Sequence, residues 1–429
     1  MTSWPLGSFL EGRRPSSSSV VHPRENVILL QGAWPHSLVQ DSRGSPSDKP
    51  PVVFIFDTLF QRRRLASSFQ PSKILSIQSR NRAVTASDFD SSENRYLLSG
   101  CELGGVFIHD CELPRGCHDV SRCAEVASRP GSSSGAGVSP HSQPSHSAAI
   151  STLAWFPFDT GSFFSGSADR CIRFWDTNTL ATVSSVTCSG PVTRVSMSAV
   201  PSSKRLLAAA CGDSQVHLFD ARTHSLAMSL MRHDSGVLSL DWSPVSPNIL
   251  SSAAKDGSLR LWDIRQGIPL ASFDMHTSGS NNTRVAHEGP IYSVRFSHCG
   301  SFIYSLGADR RLRKWHSGSA SNSEVHFSIP RDDSLARFSD SILVFEDFVL
   351  FVPYGKNVAS FSCDNGRLLS LLDPHYGHVT SVCANISETL IFTSDSAGSL
   401  RVWQPAASNY HHGAPRFHAS DSGACLTTI

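Results

Sequence analysis

Charge is what this sequence has least of. Only 17% of its 429 residues are Asp, Glu, Lys or Arg, against about 25% in an average soluble chain. Basic and acidic residues number 37 and 36, leaving a formal net charge of +1. So even a balance supplies no general field for holding nucleic acid or an anionic membrane surface. Long apolar runs are missing as well. The nearest, Val52 to Phe60, is broken by Asp57 and falls well short of the ~20 residues of a membrane span. The opening MTSWPLGSFLEGRRP lacks the cationic start and apolar core of a secretory signal. No C-x-x-C occurs among eleven scattered cysteines, and the densest group (Cys101, Cys111, Cys117, Cys123) is irregularly spaced with no histidine pair beside it. That pattern predicts reduced thiols rather than a metal centre or a disulfide framework. Two N-x-S/T sequons, at Asn281 and Asn385, then read as accidental. A glycine-rich phosphate loop is absent, and no cofactor is expected.

What is present is a repeat. Strings ending in an aromatic residue recur: RCIRFWD at Trp175, SQVHLFD at Phe219, GSLRLWD at Trp262, RRLRKWH at Trp315 and GSLRVWQ at Trp403. Their spacings are 44, 43, 53 and 88 residues, and a degenerate copy, KNVASFS with Phe361, fills the last gap. GGVFIHD, with His109 at the aromatic position, precedes the series. Seven copies of about 44 residues result, close to the ~40–45-residue period of a four-stranded propeller blade. Alternating apolar positions, β-branched and aromatic residues and short polar turns favour strands over helices. The expected fold is all-β: a seven-bladed β-propeller over residues 74–404, whose ring protects most strand edges.

A second regularity lies inside the first. An Asp stands six residues before the aromatic in four copies (Asp169, Asp213, Asp256, Asp309). Four residues earlier comes Ser165, Ser252 or Ser305, with Ala209 in the third copy, and further upstream His146, His233 or His287. The seventh copy carries His375, Thr393 and Trp403 but has Ala397 where the Asp is expected. Leu103 and Cys188 are similar departures in the first and third copies. His, Ser and Asp together are the inventory of a hydrolytic triad. A nucleophile, however, is not needed once per repeat, and none of these serines lies in a G-x-S-x-G elbow. The better reading is a buried network in each blade, running from Asp through His and the hydroxyl to the indole of Trp175, Trp262, Trp315 or Trp403. Cutting one partner should leave an unpaired polar group costing ~1–3 kcal/mol. Blades at the ring closure, the least standard, are expected to open first.

Spacing, aromatics and the His/Ser/Asp/Trp set together resemble the WD-repeat β-propeller family. Six strings resemble more narrowly its Cockayne syndrome group A branch, substrate receptors of cullin-4 RING ubiquitin ligases. They are NRYLLSG (94–100), WFPFDTG (155–161), FWDTNTLAT (174–182), LWDIR (261–265), FVPYG (351–355) and the pair His375-Tyr376. The resemblance implies a non-catalytic receptor acting in the nucleus, in transcription-coupled nucleotide-excision repair. Its implied partners are the ligase adaptor (damage-specific DNA-binding protein 1) with cullin-4 and a RING subunit, and repair and RNA polymerase II-associated proteins. Direct nucleic-acid, membrane and small-molecule binding are not expected. Trp262, Asp263 and Arg265, with Asp220 and Arg222 one blade earlier, are the adaptor-binding residues it implies. A W-D-x-R turn also occurs where Arg merely pairs with its neighbouring Asp. The alternative is a WD-repeat scaffold in another nuclear or cytoplasmic assembly.

Outside the repeat, residues 1–50 are Ser/Pro-rich and expected to be disordered. Residues 51–73 form an arm, with Val52–Phe69 readable as a short amphipathic helix or a strand. Ile74–Gln78 is expected to complete the seventh blade, and 405–429 to be a flexible tail. Strand direction places the Asp turns and inter-blade loops, including the Ser-rich insertions 128–147 and 276–286, on one face. The turns after the WD dipeptides fall on the other.

Overall fold

A computed structural model describes residues 69–76, 83–111, 123–127, 146–202, 204–274, 285–323, 325–329, 342–387 and 389–405. The 1–50 segment, the arm up to residue 68, most of both Ser-rich insertions and the tail beyond 405 lie outside the described residues.

Seven antiparallel sheets follow one another around a ring, six with four strands and one with three. In each blade the second strand is buried throughout or nearly so, as in Ser162–Ser167, Leu206–Cys211 and Ile249–Ala254. The outer strand alternates with solvent, as in Ala181–Thr187. These patterns follow the runs of apolar and small residues that drive the inner strands together. Among the described residues the fifth blade has three strands, beyond which an isolated bridge joins Trp315 to Asn322.

Hydrogen bonds from one inner strand to the next hold the blades in register. The backbone N–H of Val195 donates to Thr152 Oγ1, that of Val294 to Ser239 Oγ and that of Ile342 to Ser293 Oγ. The seventh blade meets the first in the same way, Ser87 N–H donating to Ser381 Oγ at 3.1 Å. Phe89 stacks on Phe392 across this seam with ring centroids 5.0 Å apart.

The chain's N-terminal side closes the ring. Phe69–Ser76 pairs antiparallel with Ser399–Pro405 as the outer strand of the seventh blade. It starts five residues before the expected Ile74, so the arm's last residues are part of the propeller. Phe69 explains the earlier start: it is buried edge-on against Phe345 and Phe351 of the sixth blade.

Candidate functional site

The His/Ser/Asp/Trp sets come together inside the blades. In the second blade His146 Nδ1 donates to Asp169 Oδ2 (2.9 Å), Ser165 Oγ lies 2.7 Å from His146 Nε2, and Trp175 Nε1–H donates to the same hydroxyl at 2.7 Å. The fifth blade repeats this with His287, Asp309, Ser305 and Trp315 at 2.7–2.9 Å. In the fourth, His233 reaches Ser252 and Trp262 as expected, but its Nδ1 meets Ser258 Oγ, which in turn donates to Asp256. A hydroxyl is thus spliced between the imidazole and the carboxylate. Shut within the blades, these imidazoles and hydroxyls cannot reach a substrate, and the hydrolytic reading fails for them.

The seventh blade corrects the sequence-based expectation. Its network does not lack a carboxylate: Asp395, two residues before Ala397, sits 3.2 Å from His375 Nδ1. Thr393 Oγ1 bonds His375 Nε2 at 2.7 Å and receives Trp403 Nε1–H at 2.8 Å. Asp395 also accepts the backbone N–H groups of Ala397 and Ser399 and the Ser399 hydroxyl. The first blade uses a shortened form in which His109 Nε2 replaces the indole nitrogen, 2.7 Å from Ser99 Oγ.

Burial of these imidazoles sets a pH dependence. It lowers His109 and His233 to about 4, with Arg260 reinforcing the effect on His233. Unfolded, each would protonate near 6.5. Their stabilising contribution is therefore complete above pH 6.5 and is lost as pH falls towards 4, by about 3 kcal/mol each. Asp88, enclosed between the first two blades and pushed up to about 6 by burial, acts in the opposite sense. Thermal denaturation is expected to show Tm falling between pH 6.5 and 4, more steeply in Asp88→Asn. A Tm that rises over this range would contradict the assignment.

The face opposite the Asp turns carries the arginines. Asp263 ends the third strand of the fourth blade with its carboxylate enclosed, and Arg265 folds back onto it, Nη2 to Oδ2 at 2.6 Å and Nε to Oδ1 at 3.0 Å. These bonds hold the Asp263 carboxyl below the usual carboxylate range. Trp262 lies wholly inside the blade, so only Arg265, 66% exposed, can touch a partner. Its fork is fixed by Asp263, and a partner would meet an oriented guanidinium edge rather than a mobile one. In the next-door turn Asp220 accepts the backbone N–H of Arg222, whose side chain is exposed.

Beside Arg222 lies a feature that the linear pattern concealed: a pocket of about 240 Å³ between the second and third blades. Phe156, Phe164 and Phe174 form its apolar walls, with Arg205, Arg222 and His224 among the lining residues. Arg205 spans the rings of Phe156 and Phe158 at 5.4 and 5.5 Å, and His224 lies against Phe174 at 4.3 Å. An apolar floor beside cationic groups suits a large side chain with a carboxylate beside it.

The strings sort by face. WFPFDTG and FWDTNTLAT build one side of this pocket and are tied together by Thr177 Oγ1 donating to the Thr160 carbonyl. Thr160 Oγ1 donates to Glu93, next to NRYLLSG. LWDIR emerges on the same face. FVPYG and His375-Tyr376 meet on the opposite face, where His375 N–H donates to the Lys356 carbonyl and Arg401 covers the exposed Tyr376 ring.

Seven radial sheets and the indole–hydroxyl–imidazole links define the class: a seven-bladed β-propeller with WD-type repeats. Family models match parts of it, the WD domain, G-beta repeat at residues 225–263, 278–316 and 366–404 and the TEP-1 C-terminal beta-propeller at 146–220. Among individual proteins the chain is similar to the WD repeat-containing protein ATCSA-1 of Arabidopsis thaliana, 27% identical over 79% of this chain and 91% of that protein. It is similar over 58% of its length to the Radiation-sensitive protein 28 of Saccharomyces cerevisiae, at 25% identity and 55% of that protein. A Ribosome biogenesis protein WDR12 homolog of Chlamydomonas reinhardtii is 31% identical over 40% of the chain and 38% of its own length.

Proposed function

We propose that this propeller is a substrate receptor of a cullin-4 RING ubiquitin ligase in transcription-coupled nucleotide-excision repair, of the Cockayne syndrome group A type. It performs no bond chemistry. The arginine-bearing face grips the adaptor, damage-specific DNA-binding protein 1, and the opposite face presents a substrate near stalled RNA polymerase in the nucleus. The observation that carries this reading is convergence: four of the six receptor-like strings, distant in sequence, meet on the face that bears Arg222, Arg265 and the aromatic pocket. Nothing in a propeller's own packing requires those turns to resemble a receptor's. The nearly full-length likeness to ATCSA-1 supports the same reading.

A second reading, a scaffold in another assembly, is favoured by the likeness to ribosome biogenesis proteins. That likeness covers at most 40% of the chain in these two proteins, the part a shared repeat accounts for. Affinity purification from nuclei separates the two. The adaptor and cullin-4 are expected with the wild type and depleted with Arg265→Ala combined with deletion of residues 51–68. Recovery of a different stable complex without any cullin would sink the receptor reading.

A further inference from the structure

The third blade is the odd one, and its oddities cluster. Cys188 stands four residues before the inner strand, where the other blades place His146, His233, His287 and His375. His217 pairs across strands with Ala209, at the register position where Arg173, Arg260, Arg313 and Arg401 face Ser165, Ser252, Ser305 and Thr393. Cys211 stands two residues beyond Ala209, as Asp395 does beyond Thr393. In the fifth blade the arginine donates to the turn carboxylate, Arg313 Nη1 to Asp309 at 2.6 Å. The third blade keeps that carboxylate, Asp213, and replaces the arginine with an imidazole.

The result is a nest of metal-ligating groups. One ligand atom each of Cys211, Asp213 and His217 lies within 4.8 Å of the others. Cys188 is a close neighbour of Cys211. Gly190 lets the inter-blade loop approach this closely: a Cβ there would lie 3.1 Å from the Gly212 nitrogen. His217 Nε2 points at Asp213 Oδ2 (2.9 Å), while its Nδ1 is held by Ser229 Oγ at 2.9 Å. That is the arrangement of a ligating histidine, one nitrogen for the ion and the other oriented by a neighbouring oxygen. The carboxylate and imidazole are partly exposed, at 22% and 13%, and the thiols lie deeper, so an ion has a way in.

We infer that Cys188, Cys211, Asp213 and His217 form a tetrahedral site for a borderline-soft divalent cation of the zinc class, on the face opposite the arginines. Two thiolates, a carboxylate and an imidazole are a donor set such ions accept, with ligand atoms ~3.3–3.8 Å apart. Cys211, Asp213 and His217 need to contract by about 1.0 to 1.5 Å at most to reach that spacing. Binding releases the two thiol protons to solvent, and the imidazole proton moves from Nε2 to Nδ1, where it donates to Ser229 Oγ. The cation takes the place of the arginine charge beside the turn carboxylate. This explains why three positions depart from the repeat together.

Cobalt(II) titration of the metal-stripped, reduced full-length chain tests the site independently of any ligase. One equivalent is expected to produce thiolate-to-cobalt charge-transfer absorption that zinc abolishes. Cys211→Ser should remove the band. His217→Arg, which restores the residue the other blades use and should fold normally, should also lose it. Ser229→Ala should weaken binding on the order of tenfold to a hundredfold. Absence of the band in the wild type, its survival in His217→Arg, or a Cys188–Cys211 disulfide in the protein as isolated would overturn the assignment.

Discussion

Asp395→Ala is expected to lower the unfolding free energy by about 3–5 kcal/mol, the largest loss from any single polar substitution in the ring. Its carboxylate is fully buried and receives His375 Nδ1–H, the backbone N–H groups of Ala397 and Ser399 and the Ser399 hydroxyl. Alanine would leave those donors enclosed without an acceptor. Those bonds hold the Asp395 carboxyl far below the usual carboxylate range despite burial. Its contribution is therefore present above about pH 4 and lost as pH falls further. Ala397→Asp, which writes in the residue the repeat pattern would place there, should change stability by no more than about 0.5 kcal/mol, because the network already has its carboxylate. Chemical denaturation of both variants at pH 7 checks the pair of outcomes. Equal effects would mean that the seventh-blade network is not centred on Asp395.

The second large effect concerns binding. Reversing both arginines, Arg222→Glu with Arg265→Glu, is expected to weaken adaptor binding at least a hundredfold while lowering Tm only modestly. Both side chains are exposed, so the cost to the fold is confined to the Asp263 carboxylate that Arg265 leaves unpaired. Arg265→Glu also sets a carboxylate against the enclosed Asp263, which denies a partner the oriented fork. Charges at the margin of an interface act mainly on association rate and salt dependence, whereas an anchor in a central pocket acts on dissociation. Phe174→Ala, which opens the aromatic pocket, should accordingly speed dissociation, while the arginine reversals should slow association. Surface plasmon resonance with purified adaptor reads both rates.

Much of the fold is legible in the sequence because one physical requirement is repeated. Most blades bury an aromatic on the third strand, and Trp175, Phe219, Trp262, Trp315, Phe361 and Trp403 mark that strand at spacings of 42–53 residues. Asp395 escapes the pattern because it stands eight residues before Trp403 rather than six. Space offers two routes to the same imidazole, from the turn or from the end of the second strand. Ser258 in the fourth blade is a similar detour. The cysteine–histidine cluster does not show in the sequence because its residues come from an inter-blade loop, a strand end, a turn and the next strand. A linear search for closely spaced pairs misses such a set. The pocket of Phe156 and Phe174 is formed by turns of neighbouring blades, and only closure of the ring brings them together. By contrast, the solvent-facing side of the W-D-x-R turn was readable, because residues after the third strand must emerge at the rim.

Hydrogen–deuterium exchange on the propeller with and without purified adaptor tests the central claim most directly. The account predicts protection confined to one face: the loops at 156–161, 177–180, 221–224 and 264–267. Protection instead at the Asp turns and inter-blade loops, around 168–170, 212–214 and 355–356, would contradict it.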